Sequence, residues 1–260
     1  MLSYQHLFHA GNLADVQKHA LLAWTLDYLI QKDKPLTYIE THAGRGIYDL
    51  GAEEAIKTGE AEKGIAVAEA LFPKGHPYLN RLNEVRASYG PMAYPGSPLI
   101  AALSLRDQDT IHLAELHPQE HQHLRHAMNP WETHIYQRDG FDLALALTPP
   151  TPRRGLMLID PSYEVKTDYE AIPKHAANIA RKWNVGIIAL WYPLLQGAPH
   201  GGMLRALTGH FPEALRSEVR FPPVREGHRM EGSGMFIVNP PYGMAEEARR
   251  IEGIFKRLHA

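Results

Sequence analysis

Apolar residues recur along this chain in two alternating rhythms. After Asn12 and Asp15, Ala20, Leu21, Trp24 and Tyr28 fall at helical spacing, which predicts an amphipathic helix over residues 16–30 that Pro35 closes off. The apolar run at 36–40 then predicts a strand. Further strands are expected at 110–115, 133–138, 155–160, 185–192 and 235–239, with a hairpin spanning 215–238. Helical spacing returns between most of them, as at 119–127 and 169–182. Parallel strands need a crossover, and a helix that packs back on the sheet supplies one. The expected fold class is therefore α/β, a Rossmann-like and mostly parallel sheet with helices on both faces. Residues 48–94 break the rhythm. They are helical in pattern, hold no convincing strand, and are bounded by glycines and by Pro91, Pro95 and Pro98. This predicts a small helical insert subdomain at 48–94 after the first strand, with residues 1–47 and 95–260 forming the Rossmann-like domain.

Composition narrows the chemistry more than it names it. The 260 residues are enough for one large domain or one domain with an insert. There is no cysteine, so disulfides, thiolate metal sites and cysteine nucleophiles are excluded. The first twenty residues lack a basic segment followed by an apolar one, and no run is long enough to span a bilayer, so a cytoplasmic protein is expected. A net charge of -2 does not advertise nucleic-acid binding, and any such partner must rest on local patches. Two are visible: Arg220, Arg225, His228 and Arg229 near the hairpin loop, and Lys57, Lys63, Lys74, Arg81 and Arg86 in the insert. Each residue taken singly also fits an ordinary solvated surface.

Four features carry candidate chemistry. Thr41-His42-Ala43-Gly44-Arg45-Gly46 follows the first strand, where glycines let the backbone turn close to a ligand, though a plain turn has the same look. Glu115 ends the strand at 110–115, placed either to accept ribose hydroxyls or to act as a surface charge before Pro118. Asp139-Gly140 follows the next strand, either as a contact for an adenine amine or as a common Asp-Gly turn. Glycine turn, acid and Asp at successive strand ends is the layout expected for S-adenosylmethionine. The fourth feature is Asp160-Pro161-Ser162-Tyr163 at the end of a buried strand.

This fourth feature points to the reaction. The N6 amine of adenine is a poor nucleophile because its lone pair is delocalised into the ring. The Asp160 carboxylate and the Pro161 carbonyl can accept the amine hydrogens, and Asp160 can take the departing proton. Tyr163 is expected to stack on the base. Asn239-Pro240-Pro241-Tyr242 is closer to the usual form of this motif. It follows the last strand, however, which commonly runs antiparallel in this architecture, so a structural role is expected for it. His117 and His121 lie one helical turn apart, with His123 close by, but no acidic partner accompanies them, and no metal is expected.

With these residues in view, the chain resembles the bacterial large-subunit ribosomal RNA adenine-N6 methyltransferase J family over nearly its whole length. The most specific pieces are Met1-Leu-Ser-Tyr4-Gln-His6, Phe8-His-Ala-Gly-Asn12, Lys18-His19, Thr41-His-Ala-Gly44, Tyr94-Pro-Gly-Ser-Pro98, Glu115-Leu-His-Pro118 and Leu190-Trp-Tyr-Pro193. The resemblance implies cofactor contacts from Lys18, His19, His42, Ser97, Glu115, Asp139 and Gly140. It further implies Asp160 as the catalytic acceptor, with Tyr4 and His6 at the target adenosine beside Pro161 and Tyr163. Two departures stand out: Ser162 replaces the motif's second proline, and the insert is somewhat short. The expected activity is S-adenosylmethionine-dependent methylation of one adenine in 23S ribosomal RNA, naked or in early assembly, by a monomer with no membrane or metal partner. DNA adenine methylation and a non-catalytic nucleic-acid-binding role are the alternatives.

Overall fold

The computed structural model describes residues 5–224, 227 and 229–258. Seven strands form one sheet in the order β5-β4-β1-β6-β7-β9-β8. These are β1 (Thr37–Glu40), β4 (Thr110–Ala114), β5 (His134–Tyr136), β6 (Gly155–Ile159), β7 (Ile187–Leu195), β8 (Leu215–Arg220) and β9 (Met230–Val238). The first five of that order are parallel, whereas β9 runs antiparallel to β7 and β8 antiparallel to β9. All four residues of β1 and all five of β6 are buried, without alternation, because helices cover both faces of the sheet centre. The carboxyl ends of five parallel strands therefore open on a single edge.

The first helix, Leu13–Ile30, begins three residues earlier than its apolar spacing suggested. Asn12 caps it by accepting the Asp15 N–H at 2.8 Å, a local side-chain bond that periodicity cannot register. The helix is also less amphipathic than expected: Asp15, Gln17, Lys18 and His19 are buried along with its apolar residues. It lies between the sheet, the helices Pro77–Tyr89 and Ser97–Ser104, and the terminal helix Met244–Leu258, so little of its surface reaches solvent.

The insert contains the expected helices, Glu53–Thr58, Glu60–Lys63, Ile65–Ala68 and Pro77–Tyr89. It also contains strand structure that the sequence did not reveal. β2 (Ile47–Asp49) and β3 (Ala93–Pro95) pair antiparallel at its neck. Three-residue strands are too short to display a period, and their stability comes from pairing across the whole insert. Ile65, Phe72, Tyr78 and Leu82 join the same buried cluster as Leu21 and Leu113, so the insert shares the core of the sheet.

Candidate active site

A cleft of about 570 Å³ runs along the carboxyl edge of the parallel strands. On one side the turn after β1 meets Glu115 beyond β4. The Gly44 N–H donates to Glu115 Oε2 at 2.8 Å and the His117 N–H to Oε1 at 2.7 Å. Burial raises the pKa of Glu115, and these two donors oppose the rise. Its carboxylate is thus fixed in direction at the cleft wall. Beyond β5, Asp139 caps the helix Gly140–Leu147 by accepting the N–H groups of Phe141 and Asp142, each at 3.0 Å. A Cβ on Gly140 would lie 1.9 Å from the Thr41 carbonyl oxygen, so only glycine lets the β5 turn close against the β1 turn. His42 bonds Thr41 Oγ1 through Nδ1 at 2.7 Å and meets Phe141 edge to face. Burial pushes its pKa down to about 4, which keeps the imidazole neutral near pH 7.

At the centre stands Asp160, directly after β6. Lys18 Nζ lies 2.6 Å from Asp160 Oδ2 and 3.0 Å from Asp15 Oδ1. Asp15 in turn bonds His6 Nε2 at 2.8 Å and accepts the Gly11 N–H at 2.9 Å. Burial alone would lower the pKa of Lys18, but Asp160 and Asp15 more than reverse it and hold the ammonium. Burial likewise opposes ionisation of Asp15, and His6, Lys18 and His19 outweigh it, so its pKa falls well below the usual range. A continuous polar chain therefore links the amino-terminal segment at His6 to the turn after β6. His19 points its Nδ1 at the Tyr94 hydroxyl, 2.9 Å away, and burial drives its pKa down to about 3.

Ser97 reaches the cleft at the start of the helix Ser97–Ser104, with its hydroxyl donating to Glu40 Oε1. Glu40 is the site-proximal acid that sequence reasoning missed, because it reads as an ordinary strand-end residue. It is fully buried, accepts the Tyr38 hydroxyl at 2.9 Å through Oε2, and burial pushes its pKa up to about 8. The fold thus favours protonated Glu40, whereas the unfolded chain releases that proton near 4.5. Stability from this group is full below 4.5 and is lost as pH rises through about 8. Melting temperature is expected to decline across that window in the parent protein and to decline less in Glu40→Gln. Identical slopes in the two proteins would remove this assignment.

Pro161 lines the cleft beside Asp160. Tyr163 also lines the cleft; it is 8% exposed, packs on Tyr169 at 4.8 Å, and donates its hydroxyl to the Trp191 carbonyl at 2.7 Å. Its φ of +56° turns the side chain back into the core. Tyr4, Arg225 and His228 lie outside the described residues. Several candidate cations are already engaged: Arg86 with Glu69, Arg81 with Glu84, and Lys63 with the Val224 carbonyl of the hairpin loop. Asn239 sits at the opposite edge of the sheet, because Val238 pairs with Ile188 at the start of β7. Its Nδ2 donates to the Gly186 carbonyl at 2.8 Å and to the Asn184 carbonyl at 3.1 Å. His117 accepts the Glu120 N–H at the start of a helix, and no metal-holding group of three or more acidic or His side chains occurs among the described residues. No helix there is long and apolar enough to cross a membrane.

The chain is similar to known proteins over most of its length. A family profile described as ribosomal RNA large subunit methyltransferase D, RlmJ, matches residues 33–258. The chain is 40% identical to ribosomal RNA large subunit methyltransferase J of Escherichia coli K12, over 96% of this chain and 91% of that one. It is 37% identical to the protein of the same name from Haemophilus influenzae, over 96% and 92% respectively. A crystal structure from Legionella pneumophila superposes with a TM-score of 0.84 at 36% identity, covering 96% of this chain and 92% of that one.

Proposed function

This chain belongs to the ribosomal RNA large subunit methyltransferase family RlmJ, and on that premise we propose that it methylates the N6 amine of one adenine in 23S ribosomal RNA. The observation that carries the reading is Asp160 at the middle of the cleft, 2.6 Å from a buried lysine and followed by the Pro161 carbonyl. That is an acceptor pair suited to an exocyclic amine.

The donor set fits S-adenosylmethionine. Glu115, fixed by two backbone N–H groups, suits the ribose hydroxyls, and Asp139 with Gly140 and the neutral His42 suits the adenine end. Lys18, His19 and Ser97 would hold the methionine end, where a carboxylate and an ammonium must both find partners. When bound, the cofactor supplies an electrophilic methyl on a sulfonium. Asp160 and the Pro161 carbonyl accept the two amine hydrogens, which draws the nitrogen toward a tetrahedral, nucleophilic shape. Asp160 then takes the surplus proton directly or through water. The Lys18 ammonium balances the carboxylate in a setting that would otherwise disfavour charge. His6, tied to Asp15 and stacked edge-on against Tyr48 at 5.3 Å, would face the target nucleotide with Tyr4.

The reading extends to a monomer that acts in the cytoplasm on naked or early-assembly RNA. The test is incubation with methyl-labelled cofactor and separate pools of ribosomal RNA and DNA, then digestion to nucleosides. Label in N6-methyladenosine from the RNA pool is expected. Label confined to deoxyadenosine, or to another base, would refute the assignment.

A further inference from the structure

Charge is unevenly spread around the cleft. Seven carboxylates line it, and the two that suit the cofactor, Glu115 and Asp139, lie beyond β4 and β5 on one flank of Asp160. Among the described residues of the lining, only Lys18 and Arg229 are lysine or arginine. Lys18 is buried and spoken for, 2.6 Å from Asp160 and 3.0 Å from Asp15. Arg229 is exposed and has no carboxylate partner among the described residues. Its place follows from the direction of β9, which starts at the edge where the parallel strands end. Met230 pairs with Leu195 at the end of β7, and the Gln196 N–H donates to the Arg229 carbonyl at 3.0 Å. The backbone of Arg229 is thus held while its guanidinium lines the cleft from the flank opposite the cofactor acids.

We infer that Arg229 holds a backbone phosphate of the RNA beside the target nucleotide, a role that rests on the adenine-N6 reading above. Ile159 pairs with Leu190, so Asp160 stands level with Trp191, and Leu195 lies four residues further along β7. Arg229 therefore starts two strands from Asp160 and four residues outward, about 10 Å across the sheet and about 13 Å along it. An adenosine whose amine sits at Asp160 carries its sugar and phosphates toward the mouth, and the guanidinium arm spans the remaining distance. RNA brings a negative charge with every nucleotide to a cleft walled by carboxylates, so its backbone needs a cation at the point of entry. A guanidinium meets phosphate oxygens through two parallel N–H bonds, which fixes direction as well as charge. Such a contact sets the register of the strand and carries no base information, which is left to the turn after β6.

The probes are adenosine and adenosine 3′,5′-bisphosphate, which has a phosphate on each side of the nucleoside. Both are measured as competitors of RNA methylation at saturating S-adenosylmethionine. In the parent protein the bisphosphate is expected to inhibit about 5- to 20-fold more strongly than adenosine, and in Arg229→Gln the two should inhibit alike. With RNA, Arg229→Gln should raise KM by a similar factor at low salt and leave kcat, cofactor affinity and melting temperature unchanged. The plot of log kcat/KM against log salt should flatten by about 0.7, one phosphate contact on a single strand. Arg229→Lys keeps the charge without the fork and should retain part of the preference. Arg220→Gln is the control: its side chain is 71% exposed on β8, 3.8 Å from Glu231, and does not line the cleft, so the full preference should remain. No preference in the parent protein, or one that survives Arg229→Gln, would overturn the assignment. So would an equal loss in Arg220→Gln, since that marks a diffuse field and not a contact. Failure of the underlying reading shows separately, as unmodified adenine in RNA treated with the parent protein.

Discussion

Turnover in Asp160→Ala is expected to fall by about a hundred- to ten-thousand-fold, the range for removing a positioned acceptor of a transferred proton. Cofactor affinity, read by calorimetry, should hold nearly steady, because the carboxylate acts on the substrate amine. The variant also leaves the Lys18 ammonium with Asp15 as its remaining partner, so some loss of melting temperature accompanies it. Asp160→Asn keeps the shape of the side chain and separates the two effects: stability recovers in part and activity does not. The companion measurement is Asn239→Ala. It breaks two hydrogen bonds to backbone carbonyls and places alanine at φ +53°, so it should cost stability of about 1–3 kcal/mol with little change in rate. A folded, inactive Asn239→Ala beside an active Asp160→Ala would transfer catalysis to the other edge.

Gly140→Ala is expected to be the most damaging single methyl group in the protein. The added Cβ would sit 1.9 Å from the Thr41 carbonyl oxygen and 2.6 Å from the Thr41 carbonyl carbon. These are backbone atoms of the β1 turn, and neither turn can move without dragging a strand. A loss of about 3 kcal/mol or more is expected, together with loss of cofactor binding, because Asp139 and His42 hang from the displaced turns. Gly209→Ala is the control. It lies in the helix His200–His210 with nothing within 4 Å of the new Cβ, and helix propensity alone makes it neutral to stabilising by about 1 kcal/mol. Similar melting temperatures for the two alanine variants would contradict the steric account.

These two glycines show why the site was more legible than the neck of the insert. Strand ends in an α/β sheet converge on one edge, so reading a glycine turn, Glu115, Asp139 and Asp160 in order already places them together. Their local sequence and their tertiary position carry the same information. The β2–β3 ribbon has no such redundancy, since its strands are three residues long and meet only across the insert. Tyr163 shows where that redundancy ends. Its motif fixes where the residue lies along the chain, but the backbone at φ +56° and the Trp191 carbonyl decide where the ring points. Glu40 was passed over because a buried carboxyl bonded to Ser97 and Tyr38 looks, along the chain, like any polar strand terminus. Asn239 illustrates the opposite hazard. Its motif is the better match, and only the reversed direction of β9 removes it from the chemistry.

The burial of the first helix has a consequence for how the molecule is made. Gln17 donates to Ser217, 200 residues away, and Thr25 sits against Met244. His76 of the insert likewise closes on Glu247 at 2.9 Å. During vectorial synthesis the helix that carries Lys18 leaves the ribosome early, yet the surfaces that shelter its polar residues come last. Its apolar side chains must wait through most of translation, which is the interval in which a chain of high contact order is exposed to aggregation. A nascent chain halted after β7 would already hold Asp160 and Glu115, but the helix bearing Lys18 would lack one wall. Pulse proteolysis of such stalled chains should find the first helix cleavable until β9 has emerged, so that competence to modify RNA arrives abruptly with the final hairpin.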